Sequence, residues 1–377
     1  MSRFPFNNIV DLVNGAPRFD LAESIGPNLT ASEILNGKPW PPLPLGYGTV
    51  AGDYALRAAI AARHHGVQPD EVIVTAGGVH ALFLLAFTLC EQGSEAVVAT
   101  PLFPPSLNSL RSVGATVRSW SLNFDNHYQP DLAQLRTLLS PATRVVSFAT
   151  PQNPSGVAVR PALLREIVDC VAECAPSAWL LVDETYREAC YEDPAGTPRA
   201  IPVSNKIISI ASLSKCHGAP GLRIGWAIVR DTTLREQLLT AKFNTIISCS
   251  PLDEALAHRL LEQGARLIGK RGRHLAQNLQ CVGDWVKQHA DCLEWVRPDA
   301  GALCCVRLRS SAFDDAAVDR FYAALLHYEV RVAPGSWFGE AERVFRLGFG
   351  LMDAATLRSA LERLSRSLSD ARTRALG

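Results

Sequence analysis

Between residues 70 and 230, short runs rich in Val, Ile and Leu recur with longer helical segments between them: Glu71–Thr75, Ala96–Thr100, Arg144–Ala149, the run from Trp179 to Asp183, and Lys206–Ala211. The runs lack the in–out alternation of a half-exposed strand, so they suit strands covered on both faces. Strands that alternate with helices in this way argue a mostly parallel, doubly wound α/β sheet. Parallel strands bring their carboxyl ends to one edge, where open α/β sheets bind ligands. The residues that follow each run are therefore the place to look for chemistry.

After Lys206–Ala211 comes Ser212-Leu213-Ser214-Lys215, continued by Gly221-Leu222-Arg223-Ile224-Gly225-Trp226. An amine at a strand end can form a Schiff base with a carbonyl compound. Two serines, with Arg223 eight residues beyond the lysine, supply the donors that clamp a phosphate dianion. A lysine beside a phosphate clamp points to pyridoxal phosphate. After Glu71–Thr75, the turn Ala76-Gly77-Gly78 leads into an apolar helix, Val79–Cys90, whose unpaired first-turn amides favour an anion. Phe103 lies just beyond Ala96–Thr100, where a ring can stack on a planar cofactor. Asn153 sits in the proline-stiffened loop Thr150-Pro151-Gln152-Asn153-Pro154-Ser155-Gly156, with an amide that can donate to an oxygen. Asp183 ends an apolar run, where a carboxylate needs a cationic partner such as a pyridinium nitrogen, and Tyr186 three residues on can reach the ring's phenolic oxygen. A surface lysine, an ordinary strand-to-helix turn, an Asn-Pro turn or a core phenylalanine would explain each feature singly. Five loops converging on one sheet edge weaken all of those explanations together.

Elsewhere the chain is less explicit. Residues 1–45 carry an apolar start, turn signals at Asn14-Gly15 and Gly26-Pro27, and the prolines Pro39, Pro41, Pro42 and Pro44, which read as an arm rather than a core element. Asp53–His64 reads as a helix, and Gly46-x-Gly48-x-x-x-Gly52 before it is not a dinucleotide fingerprint, because no strand precedes it and its third glycine comes one residue late. One long helix is expected from Pro251 through Gln288, strands at Cys304–Leu308 and Val330–Val332, and a closing helix at Ala354–Leu368. Arg346 interrupts the apolar run Val344–Phe349; it can grip a carboxylate in a cleft or snorkel at the surface.

At 377 residues the chain exceeds a single core, so a large domain over 46–265 and a small α+β domain over 266–377, with the 1–45 arm as part of the small domain, are expected. With 37 basic against 37 acidic side chains there is no electrostatic footprint for nucleic acid or a charged membrane, which leaves a small-molecule partner. The 10 cysteines show no C-x-x-C pair or secreted spacing and read as reduced thiols, and no metal site is expected. The absence of a leader-like start or a long apolar stretch makes a cytoplasmic location the expectation.

These motifs resemble those of fold-type I pyridoxal-phosphate enzymes of the class I/II aminotransferase family, over residues 40–350. The block from Ser212 to Gly225 carries most of the resemblance, and Asp183-Glu184-Thr185-Tyr186 the next most. The resemblance implies that Lys215 is the Schiff-base lysine, that Asp183 pairs with the pyridinium, that Asn153 and Tyr186 hold the phenolic oxygen, and that Phe103 stacks on the ring. It gives the phosphate to Gly78, Val79, Ser212, Ser214 and Arg223, with Tyr47 reaching the phosphate of a partner subunit in a homodimer. Arg346 matches the arginine for the substrate α-carboxylate. Lys215, once free, would remove the Cα proton as general base. The implied activity is transamination between an L-amino acid and a 2-oxo acid.

The N-terminus departs from the family pattern: Asp20-Leu21-Ala22-Glu23-Ser24-Ile25-Gly26-Pro27 stands where a Gly-x-Gly-x-Pro-like segment usually closes over the substrate. This segment resembles that of guanidino-amino-acid oxidases and cyclases, so oxidation, cyclisation or β/γ-elimination stands as the alternative outcome. Glu23 and Asp20 would favour a cationic substrate if they faced the pocket. The usual exposure of such acids favours a hydrated arm instead.

Overall fold

The computed structural model describes residues 3–12, 15, 17–40, 42–191 and 204–373. Asn14 and Pro41, parts of the turn and proline signals noted above, lie outside them. Its strands in chain order are β1 (Phe19–Leu21), β2 (Val72–Thr75), β3 (Glu95–Thr100), β4 (Thr116–Ser121), β5 (Thr143–Ala149), β6 (Trp179–Asp183), β7 (Ile207–Ser212), β8 (Gly225–Ile228), β9 (Leu293–Val296), β10 (Leu303–Leu308), β11 (Val330–Pro334) and β12 (Val344–Gly348).

Seven of them form one sheet in the order β2-β8-β7-β6-β5-β3-β4. The neighbours β4, β3, β5, β6 and β7 pair in parallel, and β8 alone runs antiparallel to β7 and β2. All six residues of β7 are buried, as its unbroken apolar run requires when helices cover both faces. The helix Gly78–Leu89 covers one face and the helix Pro161–Cys174 the other, each contributing to a separate apolar cluster. Because β2 and β3 to β7 all point the same way, Thr75, Thr100, Ala149, Asp183 and Ser212 end on one edge of the sheet.

The five-stranded second sheet has the order β1-β11-β12-β10-β9, and its core holds Leu21, Phe321, Phe345 and Leu361. Here the structure corrects the expectation for the N-terminus. The arm does contribute a core element: Phe19–Leu21 is a buried strand that pairs in parallel with β11, Phe19 opposite Val330 and Leu21 opposite Val332. The carboxylate of Asp20 receives Arg331 Nε at 3.1 Å and Nη2 at 2.7 Å, a two-point pair that lets an acid sit in a buried strand. Beyond β1 the chain lies directly on β12. A Cβ at Gly348 would come within 2.7 Å of the Glu23 carbonyl carbon, and one at Gly350 within 2.5 Å of the Ile25 oxygen.

The long helix expected over 251–288 is two helices, Pro251–Glu262 and Gly264–Gln288. Gln263 leaves helical geometry (φ −98, ψ 5) and its side-chain amide donates to the Ile34 carbonyl at 2.6 Å, while Gly264 leaves room for Arg63 to approach. Arg271, on the second of these helices, donates to the carbonyls of Pro27 and Cys216, tying the N-terminal segment to the loop that carries Lys215. All ten cysteines are free thiols and most are buried.

Candidate active site

The loops leaving β2, β3, β5, β6 and β7 surround a cavity of about 640 Å³. Lys215 projects into it from the turn after β7, and its Nζ lies 3.1 Å from Ser24 Oγ. Burial lowers the pKa of this amine to about 8. Glu23 and Asp183 oppose that shift, and Arg346 and Arg223 reinforce it. Near neutral pH such an amine is still mostly protonated, but its neutral fraction is far larger than that of an ordinary lysine, which favours its use as a nucleophile or base.

Asp183 is the last residue of β6, held opposite Ala149 of β5 and Ile210 of β7. One carboxylate oxygen accepts the Thr185 amide at 2.9 Å. Burial raises the carboxyl above its usual range, and the Thr185 hydrogen bonds and Lys215 pull against that. An acid so placed gains most from a cation arriving in the cavity. Tyr186 follows on the same loop; burial pushes its phenol up, so it stays protonated and donates to Ser24 Oγ at 2.8 Å.

The far end of the cavity is built for an anion. The helix Gly78–Leu89 begins there, and its N-cap, Gly77, has no side chain to occupy the first-turn amides. Gly77 takes φ +78, and any Cβ there would collide with the Arg223 guanidinium. Arg223 is itself left-handed at φ 51 and is fixed by donation from Nη1 to the Pro220 carbonyl at 2.8 Å. Gly225, which starts β8, lets the Gly77–Gly78 peptide lie against it: a Cβ would meet Gly77 C and Gly78 N at 2.5 Å. Ser212 and Ser214 complete this wall. Gly225 of the Gly-Leu-Arg-Ile-Gly stretch thus shapes the seat by letting the Gly77–Gly78 peptide pack against it.

Gly78, Val79, Phe103, Asn153, Asp183, Tyr186, Ser212, Ser214, Lys215, Arg223 and Glu23 all line the cavity. Two expected residues do not. Tyr47 is 86% exposed, away from the cavity. Arg346 is buried behind Asn153: Nη1 donates to Asn153 Oδ1 at 2.8 Å, Nη2 to the Ala22 carbonyl at 2.6 Å, and its face stacks on the Phe338 ring with 4.6 Å to the centroid. Its Nε is buried without a hydrogen-bond partner among the described residues.

The two N-terminal acids separate. Asp20 is committed to Arg331 and does not face the cavity, whereas Glu23 is half-buried and lines it, so neither is a freely hydrated arm residue. Ile9, Leu12, Ile25 and Leu102 line the same cavity. Ser24, 2% exposed and bonded to both Lys215 and Tyr186, is a site residue that the motifs do not mark. Its only sign in the sequence is its place in the segment that departs from the glycine-rich pattern.

An amine of lowered pKa, a buried acid that lacks a cation, a protonated phenol and an uncapped helix N-terminus beside an arginine form a donor set that fits pyridoxal phosphate. The model for aminotransferase class I and II matches residues 43–364. The chain is 34% identical to a capreomycidine synthase of Streptomyces vinaceus over 304 residues, 80% of this chain and 76% of that one. It is 27% identical to an arginine–pyruvate transaminase of Pseudomonas aeruginosa over 340 residues, 85% and 81% of the two chains. A PLP-dependent aminotransferase of Streptococcus suis superposes with a TM-score of 0.89 at 26% identity, covering 98% of each chain.

Proposed function

The chain belongs to the aminotransferase class I and II family and is a pyridoxal-phosphate-dependent enzyme of fold type I, and from that premise we propose that it transfers the amino group of an L-amino acid to a 2-oxo acid. The observation that carries this reading is the position of Lys215, a desolvated amine with pKa about 8 on the same cavity as Asp183 and the Gly77–Arg223 anion seat.

In this reading Gly78, Val79, Ser212, Ser214 and Arg223 hold the phosphate, Phe103 packs on the ring face, and Asn153 and Tyr186 donate to the phenolic oxygen. Asp183 keeps the ring nitrogen protonated. Lys215 carries the cofactor and, when free, moves the proton at the substrate Cα. Bound cofactor supplies an electron sink for the charge that develops at that carbon. Arg346 and Asn153 take the substrate carboxylate, Nη1 of the arginine already holding Asn153 Oδ1. Glu23, an acid on a cavity whose lining also holds Ile9, Leu12, Ile25 and Leu102, suits a substrate with a methylene chain and a terminal cation. Tyr47, exposed on this chain, is assigned to the phosphate of a second copy in a homodimer.

The test is borohydride reduction of the cofactor-loaded protein followed by peptide mapping. The label is expected on Lys215, and a label on Lys206 or Lys242 would remove the assignment. A second reading, cyclisation of a guanidino amino acid, is favoured by the likeness to the capreomycidine synthase. The two separate when the enzyme is given arginine with pyruvate and, in a second reaction, an arginine that bears a leaving group at Cβ without pyruvate: alanine formation in the first supports transfer, and a cyclised product with release of that leaving group in the second supports cyclisation.

A further inference from the structure

We propose that Ser24 is a catalytic residue of this site: its hydroxyl holds the free Lys215 amine and, braced by the Tyr186 phenol, fixes the point from which Lys215 takes and returns a proton. The inference rests on the assignment of Lys215 as the cofactor lysine. Ser24 is almost fully buried, and two groups converge on its oxygen, Lys215 Nζ at 3.1 Å and Tyr186 OH at 2.8 Å. A serine oxygen has two acceptor sites and one proton of its own, so it can accept from an ammonium or donate to a neutral amine by rotation alone. Tyr186 stays protonated and donates to Ser24 while the cavity holds no cofactor; with its one proton turned to the cofactor's phenolic oxygen, the phenol oxygen can still accept from Ser24.

The backbone around Ser24 is held too closely for this to be a chance contact of a loose segment. Gly348 and Gly350 of the second sheet admit the Glu23 and Ile25 backbones at distances that no side chain would allow. Arg271 binds the Pro27 carbonyl on one side and the Cys216 carbonyl on the other, and the Leu29 amide donates to Gly218 at 2.8 Å. The N-terminal segment is thereby fastened to the Lys215 loop and to the strand of Arg346. The other charged or titratable groups around the amine are Glu23, Asp183, Arg346, Arg223 and Tyr186. Of all these neighbours, Ser24 is the one hydrogen-bonded to Nζ among the described residues.

Capture of pyridoxal phosphate by cofactor-depleted full-length protein tests this, because the reacting amine must be neutral. The capture rate, followed by absorbance over a pH series, is expected to rise with a midpoint near the pKa of Lys215, about 8. A hydrogen bond accepted from an ammonium is stronger than one made to a neutral amine, so Ser24→Ala should lower the midpoint by about half a unit to one unit. Ser24→Thr, which keeps the hydroxyl, should keep the parent midpoint, and Ser24→Gly replaces Ser24→Ala if that variant does not fold. An unmoved midpoint in the hydroxyl-free variant, or an equal shift in Ser24→Thr, overturns the role of Ser24. A borohydride label away from Lys215 would remove the functional assignment and this proposal together, whereas an unmoved midpoint with the label on Lys215 removes only the latter.

Discussion

Replacing Gly348 with alanine should disable the site through the backbone of a different segment. Gly348 is the last residue of β12, two residues after Arg346, and it is buried. An added methyl would lie 2.7 Å from the Glu23 carbonyl carbon and closer still to its oxygen, and Cβ atoms do not approach other atoms within 3.0 Å. The obstacle is backbone on both sides, so no rotamer relieves it and the Glu23–Ser24 segment must lift. The Ser24 contacts stand at 2.8 and 3.1 Å, and a displacement of the order of 1 Å carries both beyond hydrogen-bonding range. Two lost buried hydrogen bonds at about 1 kcal/mol each, added to an overpacking cost of about 1–3 kcal/mol, give a destabilisation of about 3–5 kcal/mol. Thermal unfolding of the cofactor-loaded protein should therefore shift down by several degrees, and amino-acid turnover should fall more than cofactor content, because the Gly77–Arg223 seat lies on the other sheet. A Gly348→Ala enzyme with parental melting and parental turnover would refute the close-packed segment and the mechanical link drawn from it.

Asp183→Asn should retain the cofactor, seen by its absorbance, but lose turnover by on the order of 10²-fold, since a neutral amide no longer keeps the ring nitrogen protonated; near-normal turnover would contradict the role. Arg346→Lys should raise KM for the amino acid about tenfold or more while affecting kcat less, because the charge survives but the planar fork that spans Asn153 and the carboxylate does not; steady-state kinetics read this directly. Glu23→Gln should weaken binding of arginine about tenfold and leave norvaline unchanged in a spectral titration; arginine binding no tighter than norvaline in the parent enzyme would remove the cationic-substrate reading.

Much of the cavity's lining was legible in the sequence because it is local. In a parallel sheet, the residues that follow an apolar run necessarily lie at a common edge, so Lys215, Asp183, Asn153, Phe103 and Gly78 could be assigned to one cavity without knowing how the strands are ordered. The sequence left β1, β4, β8 and β9 unmarked, and three of these (β1, β8 and β9) are only three or four residues long, too short to show a periodicity. β4 (Thr116–Ser121) is an edge strand with only Trp120 buried. The break at Gln263 was invisible for a related reason: both halves share a helical period, and what interrupts them is an amide that finds the Ile34 carbonyl 229 positions away.

The sequence alone determined which residue types could do chemistry and on which edge of the large sheet they would stand, since apolar periodicity and strand ends are properties of neighbouring residues. Only the tertiary structure decided what the N-terminal acids and Ser24 do. Asp20 is buried because Arg331, 311 positions away, neutralises it, and Ser24 reaches Lys215 across 191 positions. Whether an acid is solvated, paired or turned into a cavity depends on the free energy of its surroundings. Those surroundings are brought together here by a parallel pairing of β1 with β11 and by two glycines that let one backbone rest on another.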